Sequence, residues 1–339
     1  MKQVNWGIIG LGIMASKFAD AFKFSKKGKL VAIASSDKNK VQHFKDKFDI
    51  ENHFCFNNYE DLIKSDDIDI VYISLPNSLH FKWILKCIEY KKNILVEKPA
   101  VLNLFEIESI KKKINNTFFS EAFMYVYHPQ TLKVIEMIKE GRIGKPLSMN
   151  TNFGIDIMNK KNLFGFKRKK KIKQDNRLFN KQLGGGVILD LGCYLISFSL
   201  LIGSLEIKNN LAKTKIKNIK KKFINSGVDI HSSADLYFES GFVAKMKASF
   251  EEDLGQITEI IGSEGNMIIP HTWTPQEAIV IIKSKKSEKI KIKSINNIYT
   301  CEIEAISNSI IKNKNKPDFP GLSINDTFQN TKILDDWLK

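Results

Sequence analysis

The chain has 339 residues, with 53 Lys or Arg against 37 Asp or Glu, a formal net charge of +16. Hydrophobic residues make up 43% and charged residues 27%, enough for packed cores, which excludes wholesale disorder. A single core rarely grows past roughly 250 to 300 residues, so two domains, or one large domain with an appendage, is the default for this length. The basic balance admits acidic partners. Yet Lys, Asn, Ile and Phe are all abundant and all favoured by AT-rich codons, so base composition accounts for much of the excess.

The first third alternates short apolar runs with longer segments of helical period, the pattern of βαβ units and a parallel sheet. Strands are expected at Val4 to Ile9, Leu30 to Ala34, Ile70 to Ser74 and Asn93 to Val96. Helices are expected at Ile13 to Phe24, near Asn39 to Phe48 and at His80 to Tyr90. After about residue 122 the rhythm changes. A helix from Gln130 to Glu140 ends at Gly141, where a positive φ can close it. Alternating runs follow at Ser148 to Gly154, Ile230 to Glu239, Phe242 to Glu251, Glu259 to Gly262 and Ala278 to Ile282. Turns such as Ser240-Gly241 and Glu264-Gly265 punctuate them, which predicts a mostly antiparallel sheet in an α+β domain. The only long helical run expected within that sheet domain is the Gly-flanked apolar segment around residues 187 to 202. The expected fold class is therefore α/β, with a doubly wound domain over residues 1–122 and a second domain over 123–339, whose last helix can pack back on the first. Three Lys-rich stretches, Lys167 to Lys173, Lys208 to Lys222 and Lys283 to Lys293, read as solvated loops or sheet rims.

Cys55, Cys87, Cys193 and Cys301 lie far apart, with no C-x-x-C pair and no nearby histidine at metal-ligand spacing. A reducing compartment and no metal site are expected. The first apolar run begins within a few residues of Met1 and leaves no room for a signal peptide. The longest apolar stretch, Ile188 to Gly203, carries Asp190 and falls short of the roughly 20 residues of a membrane span. The expectation is a soluble, cytoplasmic protein with no membrane partner.

Gly10-Leu11-Gly12-Ile13-Met14-Ala15 fits G-x-G-x-x-A between a strand and a helix. Gly10 and Gly12 permit the tight turn and the close approach of a pyrophosphate, and the helix start at Ile13 and Met14 offers N–H groups and a positive dipole end. The second strand ends in Ala34-Ser35-Ser36-Asp37-Lys38. A carboxylate at the strand end would hydrogen-bond the ribose 2′-OH of NAD, whereas the hydroxyls of Ser35 and Ser36 and the ammonium of Lys38 suit the 2′-phosphate of NADP. NADP is preferred, and Asp37 keeps NAD open. Leu75-Pro76-Asn77 with His80, and Glu97-Lys98-Pro99, follow two further strands, so both segments should line the crevice beyond the strand ends.

These segments, together with Glu121-Ala122-Phe123-Met124-Tyr125, His128-Pro129 and the run from Gly184-Gly185-Gly186 to Asp190-Leu191-Gly192-Cys193-Tyr194, resemble the glucose-fructose oxidoreductase / inositol dehydrogenase / rhizopine-catabolism (Gfo/Idh/MocA) oxidoreductase family. The resemblance covers nearly the whole chain in the expected order. It implies a Rossmann domain followed by a domain whose large open sheet serves homo-oligomer contacts in a dimer or tetramer, with hydride transfer between NAD(P) and a hydroxyl or carbonyl carbon of a sugar or cyclic polyol. It also implies that Lys98 stands beside the nicotinamide and that a cis peptide bond precedes Pro99. Inositol dehydrogenase-like members carry a His four residues after the Asp. Here Asp190 is followed at that spacing by Tyr194, which resembles the dihydrodiol dehydrogenase and NADP-dependent xylose dehydrogenase branch, where the Tyr takes the catalytic place.

On an α-helix, residues four apart share a face, so Asp190 and Tyr194 would point the same way. A free phenol ionises only near a pH of about 10, and a neighbouring ammonium such as Lys98 favours the phenolate. Tyr194 would then exchange the hydroxyl proton, with Asp190 holding a substrate hydroxyl or orienting the lysine. Arg177, seven residues before the glycine triplet, is a further candidate for cofactor or substrate contact, and His128 is as well suited to a structural cap as to the cleft. The basic run Lys167 to Lys173 departs from the family pattern and would suit a phosphate-bearing substrate such as a nucleotide sugar. A non-catalytic dinucleotide-binding regulator is the competing class. Nucleic acid is not expected as a partner, because the basic residues are scattered and no recognition motif accompanies them.

Overall fold

The computed structural model describes residues 2–161, 167–170, 176–205, 213–275, 279–283, 287–292, 295 and 297–339. The chain divides into two compact units: Met1–His128 with Ile295–Phe328, and Pro129–Ser294 with Gln329–Lys339.

The first unit is built on six parallel strands, β1 (Val4–Ile9), β2 (Gly28–Ala34), β3 (Cys55–Phe56), β4 (Ile70–Ile73), β5 (Asn93–Glu97) and β6 (Phe119–Ala122), in the order β3-β2-β1-β4-β5-β6. Near-continuous runs such as Ile70-Val71-Tyr72-Ile73 are buried on both faces, as a parallel sheet covered by helices demands. The helices are α1 (Ile13–Ala19), α2 (Lys38–Phe48), α3 (Tyr59–Lys64), α4 (Asn77–Glu89) and α5 (Leu104–Lys113). The strand order reverses between β1 and β4, and ligands of such sheets bind beyond the strand ends at that switch.

The second unit opens with α6 (Pro129–Lys139) and holds an eight-stranded sheet. Its strands are β7 (Pro146–Gly154), β10 (Thr214–Phe223), β11 (Asp229–Phe238), β12 (Val243–Ser249), β13 (Thr258–Gly262), β14 (Asn266–Ile269), β15 (Ile279–Lys283) and β16 (Glu288–Lys291). A small ribbon pairs β8 (Asn159–Lys161) with β9 (Lys167–Lys169). In the large sheet only β12 and β7 run parallel; the other neighbours are antiparallel. Along β11, buried Ile230, Ala234, Leu236 and Phe238 alternate with partly exposed His231, Ser233, Asp235 and Tyr237, so one face of the sheet is covered. Helix α7 (Cys193–Gly203) packs on β7 and β12. By length and composition, Lys181–Gly203 could cross a membrane, but 83% of its most apolar window is buried inside the protein, which makes it a core helix.

Two long helices close the chain, α8 (Ile298–Ile311), which was not expected, and α9 (Ile324–Leu338), the expected last helix. Helix α8 belongs to the first unit, where Trp6 Nε1 donates to Ser307 Oγ at 3.0 Å and the Glu304 carboxylate accepts from the Ser25 hydroxyl and the Lys26 and Lys27 N–H groups.

The Lys-rich stretches are sheet rims where they are described. β10 and β16 are the two edges of the large sheet, and β9 belongs to the ribbon. In β10 a register irregularity between Lys217 and Lys220 sets Lys215, Lys217, Lys220 and Lys222 opposite Tyr237, Asp235, Ser233 and His231, the partly exposed row of β11. Residues 171–173, 208–212, 284–286 and 293 of those stretches lie outside the described residues.

Candidate active site

In the first unit the glycine motif forms the turn from β1 into α1. Gly10 has φ +87°, and a Cβ there would collide with the Ser74 carbonyl and the Leu75 side chain. Gly12 differs: its φ is ordinary, and a Cβ would meet nothing within 4 Å. It also starts α1 with no side-chain cap and no acidic residue in the first turn. Ala15 is fully buried, the close helix–sheet packing that the motif's third small residue permits, while Ile13 is 79% exposed. Open space at Gly12 beside an uncapped helix N-terminus is what a dinucleotide pyrophosphate fits.

At the end of β2, Ser35 is buried. Its N–H donates to the Phe56 carbonyl and its Oγ accepts the Asp37 N–H. Asp37 is the N-cap of α2, accepting from Asn39 and Lys40 N–H groups at 3.0 and 3.3 Å. Its carboxylate thus serves the helix, and the exposed groups around it are Ser36, Lys38 and Lys40. This is the environment expected for a 2′-phosphate rather than a bare ribose.

The loops after β4 and β5 are joined to one another. Asn77 is buried at the start of α4, next to Pro76 at its cap. His80 is completely buried, with Nδ1 2.9 Å from the Pro99 carbonyl oxygen and Nε2 2.8 Å from that of Leu75. Tyr72 donates its hydroxyl to Glu97 Oε1, and Glu97 Oε2 accepts the Lys98 N–H at 3.3 Å. Burial, then the Glu97 charge, push the Tyr72 phenol far up, so it stays a donor. The Lys98–Pro99 peptide is cis. One residue on, the Ala100 N–H donates to Glu121 Oε1 at 3.0 Å. Glu302 of α8 is buried, and its carboxyl is raised well above the ordinary range by burial and by Glu97. Sequence reasoning missed Tyr72 and Glu302. The available signal was one polar atom in an otherwise apolar strand and one acid in an apolar helix.

In the second unit the glycine triplet reverses the chain. Gly184 has φ +74° and Gly186 φ +122°. The Ile188 N–H then donates to Asp229 Oδ2 at 2.8 Å; burial raises the Asp229 carboxyl. The spacing of Asp190 and Tyr194 supposes an α-helical turn, but Ile188–Gly192 winds as a π-helix before α7 begins at Cys193. Such single π turns are frequent at functional sites. Arg177, in a short 3₁₀ turn, reaches Asp190 Oδ1 at 3.4 Å, a pairing across thirteen residues that the sequence did not suggest. The Asp190 side chain is 15% exposed and that of Arg177 47%. Tyr194 is buried, its ring centre 5.5 Å from Phe153 and 5.7 Å from Trp273.

His128, just before α6, is buried, and its imidazole is lowered to about 4 by that burial, which holds it neutral. Among the described residues one group has metal-ligand proximity, His231 with Glu251 and Glu252. Lys222 and Lys247 pair with these carboxylates at 2.7 and 3.0 Å, an arrangement already neutralised without a cation.

Comparison with known proteins matches residues 4–117 to the model described as oxidoreductase family, NAD-binding Rossmann fold, and residues 131–268 to the GFO/IDH/MocA C-terminal domain. A trans-1,2-dihydrobenzene-1,2-diol dehydrogenase of Xenopus tropicalis is 27% identical over 288 residues, covering 83% of this chain and 80% of that one. A D-xylose 1-dehydrogenase (NADP(+)) of Haloferax volcanii is 25% identical over 264 residues, covering 77% and 74%. Among solved structures, a 3-ketoreductase from Actinomadura kijaniata in complex with NADP and TDP-benzene superposes with a TM-score of 0.83 at 22% identity, covering 98% of this chain and 96% of that one.

Proposed function

Because the chain belongs to the Gfo/Idh/MocA family of NAD(P)-dependent oxidoreductases, we propose that it oxidises or reduces a hydroxyl or carbonyl carbon of an aldose or related cyclic polyol, with Tyr194 as acid/base. The observation that carries the reading is the open cradle at Gly12, a place for a dinucleotide, in a chain that also retains Lys98, Asp190 and Tyr194. A regulator without turnover has no need of that acid/base set. The name of the Haloferax volcanii relative supports both the aldose and NADP.

Gly10, Gly12, Ile13 and Met14 would hold the pyrophosphate, Ser35, Ser36 and Lys38 the adenosine ribose and its 2′-phosphate, and Leu75, Pro76, Asn77, Glu97 and Lys98 the remainder. When bound, the dinucleotide would supply the hydride donor or acceptor of the reaction. In the oxidation direction the Tyr194 phenolate takes the proton of the substrate hydroxyl as its carbon loses hydride. The proposed role of Lys98 is to favour that phenolate by its positive charge. Asp190 would accept a second substrate hydroxyl, and its pairing with Arg177 favours the substrate over the cofactor as that arginine's partner. The first unit would serve the cofactor, and the second the substrate and the contacts of a cytoplasmic dimer or tetramer.

A second reading, a nucleotide-linked ketosugar, is favoured by a cavity of 690 Å³ in the second unit, lined by Met158, Lys169, Lys170, Phe179, Lys222 and Phe223 among others. It combines the ammonium groups of Lys169 and Lys170 with apolar walls, which suits a nucleoside phosphate, while Lys222 is paired with Glu251 of the same lining. Fluorescence titration with NADPH and NADH, followed by a turnover screen over aldoses, polyols and nucleotide sugars, decides between them. Tighter NADPH binding and aldose turnover are expected. Failure to bind either cofactor would overturn both readings.

A further inference from the structure

His80 contacts two loops at once. Its ring, with no solvent exposure, lies between two backbone carbonyl oxygens, Leu75 O on the loop after β4 and Pro99 O on the turn after β5. A carbonyl oxygen only accepts. A neutral imidazole has one N–H and one bare lone pair, so in that state one of the two contacts sets lone pair against lone pair at under 3 Å. The imidazolium has two N–H groups and satisfies both. Hydrogen bonds to the charged form stabilise it, which opposes the desolvation that burial imposes. Two carboxyl groups hold the same turn: Glu121 Oε1 accepts the Ala100 N–H, one residue beyond Pro99, and Glu97 Oε2 accepts the Lys98 N–H.

We propose that His80 is a positioning residue: an imidazolium that donates from both ring nitrogens and so fixes the turn bearing Lys98 to the loop bearing Leu75. This rests on the reading of Lys98 as catalytic only for its kinetic consequence. Misplacing a catalytic group by about 1 Å can cost on the order of 100-fold in rate, so a loosened turn is felt in kcat even when nothing touching substrate has changed.

The test has two arms on the full chain. In the first, nitrogen-15 spectra of histidine-labelled protein at neutral pH, with His80 assigned by its loss in His80→Gln, should show both ring nitrogens protonated. One unprotonated ring nitrogen would overturn the proposal whatever the enzyme does. In the second, His80→Gln should lower kcat at least about tenfold while the KM for cofactor changes far less, with Lys98→Met as the reference. Should Lys98→Met leave kcat unchanged, the catalytic reading of Lys98 fails and the spectra alone decide the imidazolium. Should Lys98→Met abolish turnover while His80→Gln turns over as wild type, the positioning role fails by itself. A His80→Gln chain that does not fold leaves the decision to the spectrum, assigned then from the five other His→Gln variants.

Discussion

The two units use their polar side chains in opposite ways. In the first, the side chains of the recognisable motifs are spent on the protein's own backbone: Asp37 caps α2, His80 spans Leu75 and Pro99, Glu97 holds the Lys98 N–H and Glu121 the Ala100 N–H. What is left open for a ligand is largely main chain, around Gly12. In the second, backbone groups are settled by the glycine turn and Asp229, and the partly exposed or aromatic-walled groups are side chains, Asp190, Arg177 and Tyr194. A motif residue therefore means different things in the two places: mainly shape in the first, Lys98 apart, and chemistry in the second.

The sharpest way to break that contrast is Tyr194→Phe. Loss of the phenolic oxygen should lower kcat by about 10²- to 10⁴-fold with NADPH affinity and melting temperature nearly unchanged, as measured by steady-state kinetics, titration and calorimetry. Full turnover in this variant would remove chemistry from the second unit. His128 gives the next effect. The unfolded chain takes up a proton near pH 6.5 that the folded protein refuses until about pH 4. Its contribution is thus intact above pH 6.5 and is lost as pH falls toward 4, at most about 3 kcal/mol in all. Urea melts of wild type and His128→Asn across that window should differ in slope against pH, the variant being flatter.

The two glycines of the cradle should separate shape from space. Gly10→Ala forces a side chain into a positive φ and against Ser74, costing about 1–3 kcal/mol of stability from the backbone alone. Gly12→Ala has room for its methyl in the free protein, so its melting temperature should hold while NADPH affinity drops. Equal loss of stability in both variants would count against the cradle. The smallest effect is Asp37→Ala. Removal of a helix cap should cost about 1 kcal/mol in chemical denaturation, and cofactor preference should stay with NADPH. A swing in preference would mean that the carboxylate reads the ribose after all.

Much of this was legible because the relevant signals are local. The β1–α1 turn, the alternation along β11 and the strand-end loops each declare themselves within a dozen residues. The π turn at Asp190 did not, since α and π windings share one apolar pattern over five residues. Nor did the Arg177–Asp190 pair, which depends on the chain reversing at Gly186. Helix α8 was missed as part of the first unit because its anchors, Trp6 with Ser307 and Ser25 with Glu304, join residues about 280 to 300 positions apart. The role of Asp37 was ambiguous by one residue at a strand end, a resolution that pattern reading does not reach.

The irregularity in β10 has a consequence for the sheet as a whole. A regular strand would have turned Lys220 and Lys222 toward the opposite face from Lys215 and Lys217; the extra residue keeps all four in one row. An edge strand offers unpaired N–H and C=O groups to any extended segment that approaches, and a bulge with a row of ammonium groups makes that approach costly by twisting the edge and by charge. Part of the chain's excess of lysine thus sits where it halts the growth of a sheet by self-association.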